Sequence, residues 1–309
     1  MDARVPGGER LFIGDGGLET TLIFREGFEL PCFASFPLLR DEAGREALRG
    51  YYLRFIEIAR RNRVGFTFDT PTWRANADWG EPLGYDAAAL AAVNNEAVEF
   101  AAAIRGAEES AQSPIAICGA IGPQGDAYHP ATVMSADAAE RYHATQIDTF
   151  ADAGADMIGA YTLTYAEEAV GIVKAAAAAD MPVSIAFTVE TDGRLPSGQA
   201  LGEAIERVDA KTAGGAAYFM VNCAHPSHFA AVIEEAGPWI ERLGGMRANA
   251  SRRSHAELDS ANELDSGDPA ELGAEYRTLM PSLPAVRVLG GCCGTDDRHV
   301  ERICAAWLS

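Results

Sequence analysis

Short apolar, β-branched runs recur along the chain, and each is followed by an alanine-rich stretch whose apolar positions return every three to four residues. The runs predict strands over residues 11–14, 65–69, 115–120, 157–161, 183–188, 217–222, 246–249 and 286–290. Helical periodicity covers residues 45–61, 87–105, 136–153, 166–179 and 199–212 between them. Strands that alternate with helices throughout a chain are parallel strands joined by crossovers. Eight such units suit closure better than an open sheet, so the expectation is an α/β protein forming a single (β/α)8 TIM barrel. The seventh strand is the least regular, because residues 243–249 include Gly244, Gly245 and Arg247.

No linker or break in composition divides the sequence, so residues 1–309 are expected to make one domain; barrels commonly reach about 250 residues as one unit. Hydrophobic residues are 48% of the chain and charged residues 23%, enough apolar material for a large core. The polar segment 251–268 (SRRSHAELDSANELDSGD) reads as a solvated loop after the seventh strand, or more sharply as a lid over the barrel mouth. The formal charge is −20. Such a surface repels phosphate backbones and anionic lipid, so neither nucleic acid nor a membrane is expected as partner. No run approaches the roughly 20 apolar residues of a membrane helix. Residues 1–10 lack the apolar stretch of a secretory signal, which makes the cytoplasm the expected location. Nothing in the pattern fixes the oligomeric state, and a homo-oligomer stays open.

Six cysteines in a chain this long do not make a disulfide framework. Cys223 ends the apolar run AAYFMVNC, and Cys292 and Cys293 end VRVLGGCC. The C-terminal ends of barrel strands open onto one face, so strands six and eight bring all three thiols to the same mouth. Taken singly, Cys223 could be a small buried hydrophobe and Cys292-Cys293 a vicinal disulfide. Together they form a soft donor set suited to zinc. Gly290, Gly291 and Gly294 permit the sharp turn that lets adjacent cysteines face one ion. Three ligands without an obvious fourth mark a catalytic site with an open position. His225 and His228 follow on the same loop and read as capping groups, His225 being the reserve fourth ligand. Cys32, Cys118 and Cys304 read as core packing.

An alkyl thiol at neutral pH is only a few per cent thiolate. Zinc removes that proton and fixes the sulfur as a nucleophile. Three anionic ligands keep the metal electron-rich, which favours alkyl transfer to sulfur over hydrolysis. The expected reactants are therefore a small thiol acceptor and an alkyl donor.

At these residues the chain resembles the homocysteine S-methyltransferase family, from about Asp15 to its C-terminus. GGCCGT at 290–295 and VNC at 221–223 carry the resemblance. Asp15-Gly16-Gly17 with Thr20 and Leu22, GAIGPQG at 119–125, Ala153-Gly154-Ala155-Asp156 and GRLPSGQAL at 193–201 follow the family's order. The resemblance implies a barrel whose Cys223, Cys292 and Cys293 bind Zn2+ and activate homocysteine for methylation to methionine, a step of methionine biosynthesis. Its implied methyl donors include betaine, S-methylmethionine, S-adenosylmethionine and methylfolate. Asp15 and Gly16 match substrate-contacting positions; Thr162, Asn222 and Asn249 stand at further ones.

Two departures affect the acceptor. The family carries Glu-Thr after the fourth strand, the glutamate gripping the amino group of homocysteine, whereas this chain has Tyr161-Thr162. A tyrosine hydroxyl accepts a hydrogen bond but brings no charge; Asp69, Asp126 and Glu190 are the candidates to replace it. After the second strand the family pattern becomes Asp69-Thr70-Pro71-Thr72-Trp73, and Trp73 could wall the site for a sulfonium or ammonium donor. Asp15 and Tyr161 are the expected catalytic positions, with Asp15, Gly16, Thr162, Asn222, Asn249 and Trp73 contacting substrate. Tyr161 also opens a second reading, methylation of another thiol or a selenol. A non-catalytic zinc- or redox-sensing barrel is the alternative of another class.

Overall fold

The computed structural model describes residues 5–128, 133–261 and 263–309. Its eight strands are β1 (Phe12–Ile13), β2 (Gly65–Asp69), β3 (Ile115–Ile121), β4 (Met157–Leu163), β5 (Val183–Phe187), β6 (Tyr218–Asn222), β7 (Leu243–Ala248) and β8 (Val288–Gly291). All are parallel and close in sequence order into one barrel. Phe12 pairs with Gly65 on one side and Val288 on the other, which seals the ring. The chain thus has the expected α/β class and (β/α)8 TIM-barrel architecture.

The irregular seventh strand starts three residues before the predicted one. Its glycines are the reason. A Cβ at Gly244 would lie 2.7 Å from the Tyr218 side chain, and one at Gly245 would lie 2.6 Å from that of Met220. Bare backbone at both positions lets the large residues of β6 fill the barrel.

Strand side chains alternate between two cores. Phe12, Ala116, Cys118, Met157, Ala186, Tyr218, Met220 and Val288 form the inner one, joined by Val5. The outward residues pack against the helices in a larger cluster. Cys118 is buried in the inner cluster and Cys304 in the outer one, as expected; Cys32 is only half-buried, in the turn Pro31–Phe33. The longest apolar helix, Ala87–Glu108, has the length and mean hydropathy of a membrane span. Leu90, Val93, Ala97, Val98, Ala101 and Ile104 nevertheless form one buried stripe at helical spacing, the pattern of a helix laid on a barrel. Several helices start on side-chain caps, Asp41 accepting from the Gly44 amide and Ser135 from that of Ala138.

Candidate active site

Two strand ends and one turn assemble the cysteines. After β6 the chain enters the left-handed region at Cys223 (φ 51°), a conformation costly for a residue with a Cβ. It is held there by its neighbours. The Cys223 amide donates to the Arg247 carbonyl at 3.0 Å, and its own carbonyl accepts from Asn249 Nδ2 at 3.0 Å and His255 Nε2 at 2.6 Å. Beyond β8, the Cys292 amide donates to Ala248 O at 2.8 Å and the Ala250 amide to Cys293 O at 3.1 Å. The loop after β1 lies against this turn because Gly16 and Gly17 are bare. A Cβ on Gly17 would stand 2.7 Å from the Cys292 carbonyl, and one on Gly16 2.8 Å from that of Thr295.

The three sulfurs lie within 4.8 Å of one another. Cys223 and Cys292 are joined as a disulfide and Cys293 is a free thiol, so the adjacent cysteines do not bond to each other. Burial pushes the Cys293 thiol up to about 12, with the charge of Glu19 adding to it. A tetrahedral zinc with bonds of about 2.3 Å spaces its sulfurs nearly 4 Å apart. The reduced cluster therefore fits such an ion. His225 is not part of the cluster: it caps helix Pro226–Glu234, taking the Ser227 amide on Nδ1, and its Nε2 lies 3.1 Å from Glu275. Burial lowers its pKa to about 4, which leaves the ring neutral.

Beside the cysteines, inside the barrel, stands Arg247 of β7. It forms ion pairs with Asp15 and Asp69, all three side chains being buried. Tyr161 Oη donates to the other Asp69 oxygen at 2.7 Å, and the Arg247 guanidinium lies 5.2 Å from the Tyr161 ring centre. Burial pushes the Asp15 carboxyl up to about 7; Arg247 opposes that shift and the charge of Asp69 adds to it. Arg247 is itself held above its ordinary value, burial being outweighed by the two carboxylates.

These groups line a cleft of about 440 Å³. Its walls include Phe33, Trp73 and Tyr128, and its lining carries Glu19, Asp126, Asp259, Glu263 and Asp265. Trp73 is pinned by its Nε1, which donates to the Tyr161 carbonyl at 3.2 Å. The segment 251–268 is more than a loop. His255–Asp259 is helical, its residues Leu258, Asp259 and Ala261 to either side of its end line the cleft, and His255 stacks on Tyr128 with ring centres 4.1 Å apart. Asn262 lies outside the described residues.

Most of the expected residues meet here: Asp15, Gly16, Trp73, Tyr161, Thr162, Asn222, Asn249 and the three cysteines all line the cleft. Their parts differ. Asn222 spends its carboxamide on Thr162, so it positions the strand ends, whereas Asn249 keeps an unpartnered, buried Oδ1. Of the proposed substitutes for the missing glutamate, Asp69 is tied to Arg247 and Tyr161, and Glu190 lies 3.2 Å from His255. In the sequence Arg247 stands out only as an irregularity of the seventh strand, not as a site residue. Its one signal was a lone cation inside an otherwise apolar strand.

A barrel that gathers three cysteines at its mouth, beside a cleft deep enough for a small molecule, has the layout of a thiolate-metal enzyme. The family model described as homocysteine S-methyltransferase matches residues 12–307, nearly the whole chain. The chain belongs to the homocysteine S-methyltransferase family and is a methyltransferase. No curated protein matches the sequence. Among solved structures, the homocysteine methyltransferase MmuM from Escherichia coli is similar in fold. Its oxidized form superposes with a TM-score of 0.75 at 20% identity, covering 96% of each chain. Its metallated form gives 0.73 at 18% identity, again with 96% of each chain covered.

Proposed function

We propose that this protein transfers a methyl group to the sulfur of a small thiol held at a zinc ion by Cys223, Cys292 and Cys293, with homocysteine, the acceptor in the family's description, as the reference substrate. The observation that carries the reading is the convergence of the three sulfurs within 4.8 Å at the mouth of the barrel. Bound there, zinc would lower the acceptor thiol's pKa and fix its sulfur as a nucleophile. The chain's own residues supply the rest. Gly16 and Gly17 let the first loop close on the cysteine turn. The segment carrying His255 and Leu258 covers the cleft, and Trp73, Tyr128 and Phe33 wall it, with the Arg74 guanidinium over the Trp73 and Phe33 rings and His255 stacked on Tyr128. Acidic side chains lining the cleft add favourable potential for a positively charged donor. The sulfur's electron pair forms the new S–CH3 bond as the methyl carbon's bond to the donor breaks, and the electrons of the broken bond stay on the donor's onium atom, which leaves neutral.

The test is zinc content and methyl transfer in the reduced protein and in Cys292→Ala, using homocysteine with a panel of onium donors. One zinc per chain, lost together with turnover in the variant, is the expected result; full activity in metal-free protein overturns the reading. The second reading, a different acceptor thiol, is favoured by Arg247 and Tyr161 standing where a charged anchor for an amino group would be needed.

A further inference from the structure

We propose that Arg247 sets acceptor choice, so that the cleft takes a thiol bearing no ammonium group and discriminates against α-amino thiols. The proposal rests on thiol methylation at the cysteine cluster. Its basis is the full use of the guanidinium. Arg247 Nε donates to Gly291 O at 3.2 Å, Nη1 to Asp69 and to Tyr161 Oη at 3.5 Å, and Nη2 to the Asp15 carboxylate and the Asp15 carbonyl at 3.3 Å. Each N–H therefore has a protein acceptor. The two carboxylates deepest in the site are both engaged by a cation that the chain supplies itself.

An entering ammonium meets this cluster in one of two ways. It can displace the guanidinium, which strands a buried arginine, a change that costs several times an ordinary hydrogen bond. Otherwise it sits beside a like charge in a poorly solvated site. Tyr161 offers no relief, because its hydroxyl is neutral and already donates to Asp69. The buried acceptor left without a partner among the cleft's described side chains is Asn249 Oδ1, an amide that brings no counter-charge. Of the remaining carboxylates, Glu19 sits on helix Leu18–Phe24 and already accepts from Ser35 Oγ at 2.7 Å, and the others belong to the segments around the mouth. A thiol without the ammonium avoids all of these penalties and still reaches the cysteines.

The experiment compares homocysteine with 4-mercaptobutanoate, which is the same molecule without its ammonium. Reduced, zinc-loaded full-length protein is titrated with each by calorimetry. Wild type is expected to bind 4-mercaptobutanoate at least about tenfold more tightly, the size of one lost charge-assisted bond. Arg247→Met, which frees both aspartates, is expected to narrow or reverse the ratio, and Arg247→Lys to retain it. Equal or tighter binding of homocysteine by wild type overturns the proposal, and so does an unchanged ratio in Arg247→Met. If Arg247→Met does not fold, the wild-type ratio decides alone. A reduced protein that takes up no metal overturns the underlying reading and this one with it; metal uptake with a preference for homocysteine overturns this one only.

Discussion

Asn222 and Thr162, sixty residues apart, bind each other twice: the Asn222 Oδ1 accepts from the Thr162 amide at 2.9 Å, and its Nδ2 donates to Thr162 Oγ1 at 2.9 Å. Thr162 has φ 63° and Cys223, the neighbour of Asn222, has φ 51°. One side chain thus fastens two left-handed residues at the ends of β4 and β6. Asn222→Ala leaves the Thr162 amide buried and unpaired, with an expected loss of about 1–3 kcal/mol in stability. Zinc affinity should fall about 10–100-fold, as for other groups that orient a ligand. Thermal unfolding and competition with a zinc chelator measure the two effects. Unaltered zinc affinity would show that the pair does not position Cys223.

Metal binding should depend on redox state. Cys223 and Cys292 share a disulfide here and cannot both act as thiolates until two electrons reduce it. Reduced protein is expected to take up one zinc and oxidised protein none that survives gel filtration. Metal analysis before and after a phosphine reductant checks this, and equal loading in both states contradicts it.

His255 ties the covering segment to Cys223 and Tyr128, through its bond to the Cys223 carbonyl and its stack on the Tyr128 ring. In His255→Ala both contacts go, about 1–2 kcal/mol locally. Amides of His255–Asp259 should then exchange with solvent roughly ten times faster while the global unfolding temperature moves little. Unchanged exchange would mean that the helix is held by other contacts.

Asp296 provides the clearest acid dependence. Burial works against its charge, but hydrogen bonds from His299 and Arg298 and the charges of His299 and Arg25 hold its carboxyl well below the ordinary 3.8. A carboxyl depressed in the folded state contributes stability above its unfolded value, and that stability is lost as pH falls through the folded value. The wild-type protein should therefore lose stability below about pH 4 more steeply than Asp296→Asn. Asp296→Ala should also cost about 1–2 kcal/mol at neutral pH, since Asp296 caps helix Asp297–Leu308. Parallel acid unfolding curves for wild type and Asp296→Asn would refute the assignment.

The barrel was legible because βα alternation is a local signal repeated eight times. Strand β2 and helix Ala136–Ala153 have the predicted bounds, since glycine, serine and aspartate punctuate them. The cysteine cluster was legible for a different reason: strand ends of a barrel share one face, so topology replaces distance. The Arg247 cluster was not. Asp15, Asp69 and Arg247 lie on three strands or their ends, and no spacing rule in one sequence says that the arginine would turn inward. The helix His255–Asp259 was likewise hidden in a polar segment, its capping box of Ser254 and Glu257 being the signal that could have revealed it.

The pairing of β1 with β8 has a consequence for how the enzyme comes into being. Asp15 and Gly17 are made at least 275 residues before Cys292 and Cys293. The contacts that join them, the Gly291 amide on the Asp15 carbonyl at 2.8 Å and Gly17 against Cys292, require both termini of the chain. A chain that still lacks β8 holds only one of the three clustered thiols, so the cluster forms only when the ring of strands closes. A chain that stops before Cys292 would keep the strands of the ring and lack the pair that the ring presents.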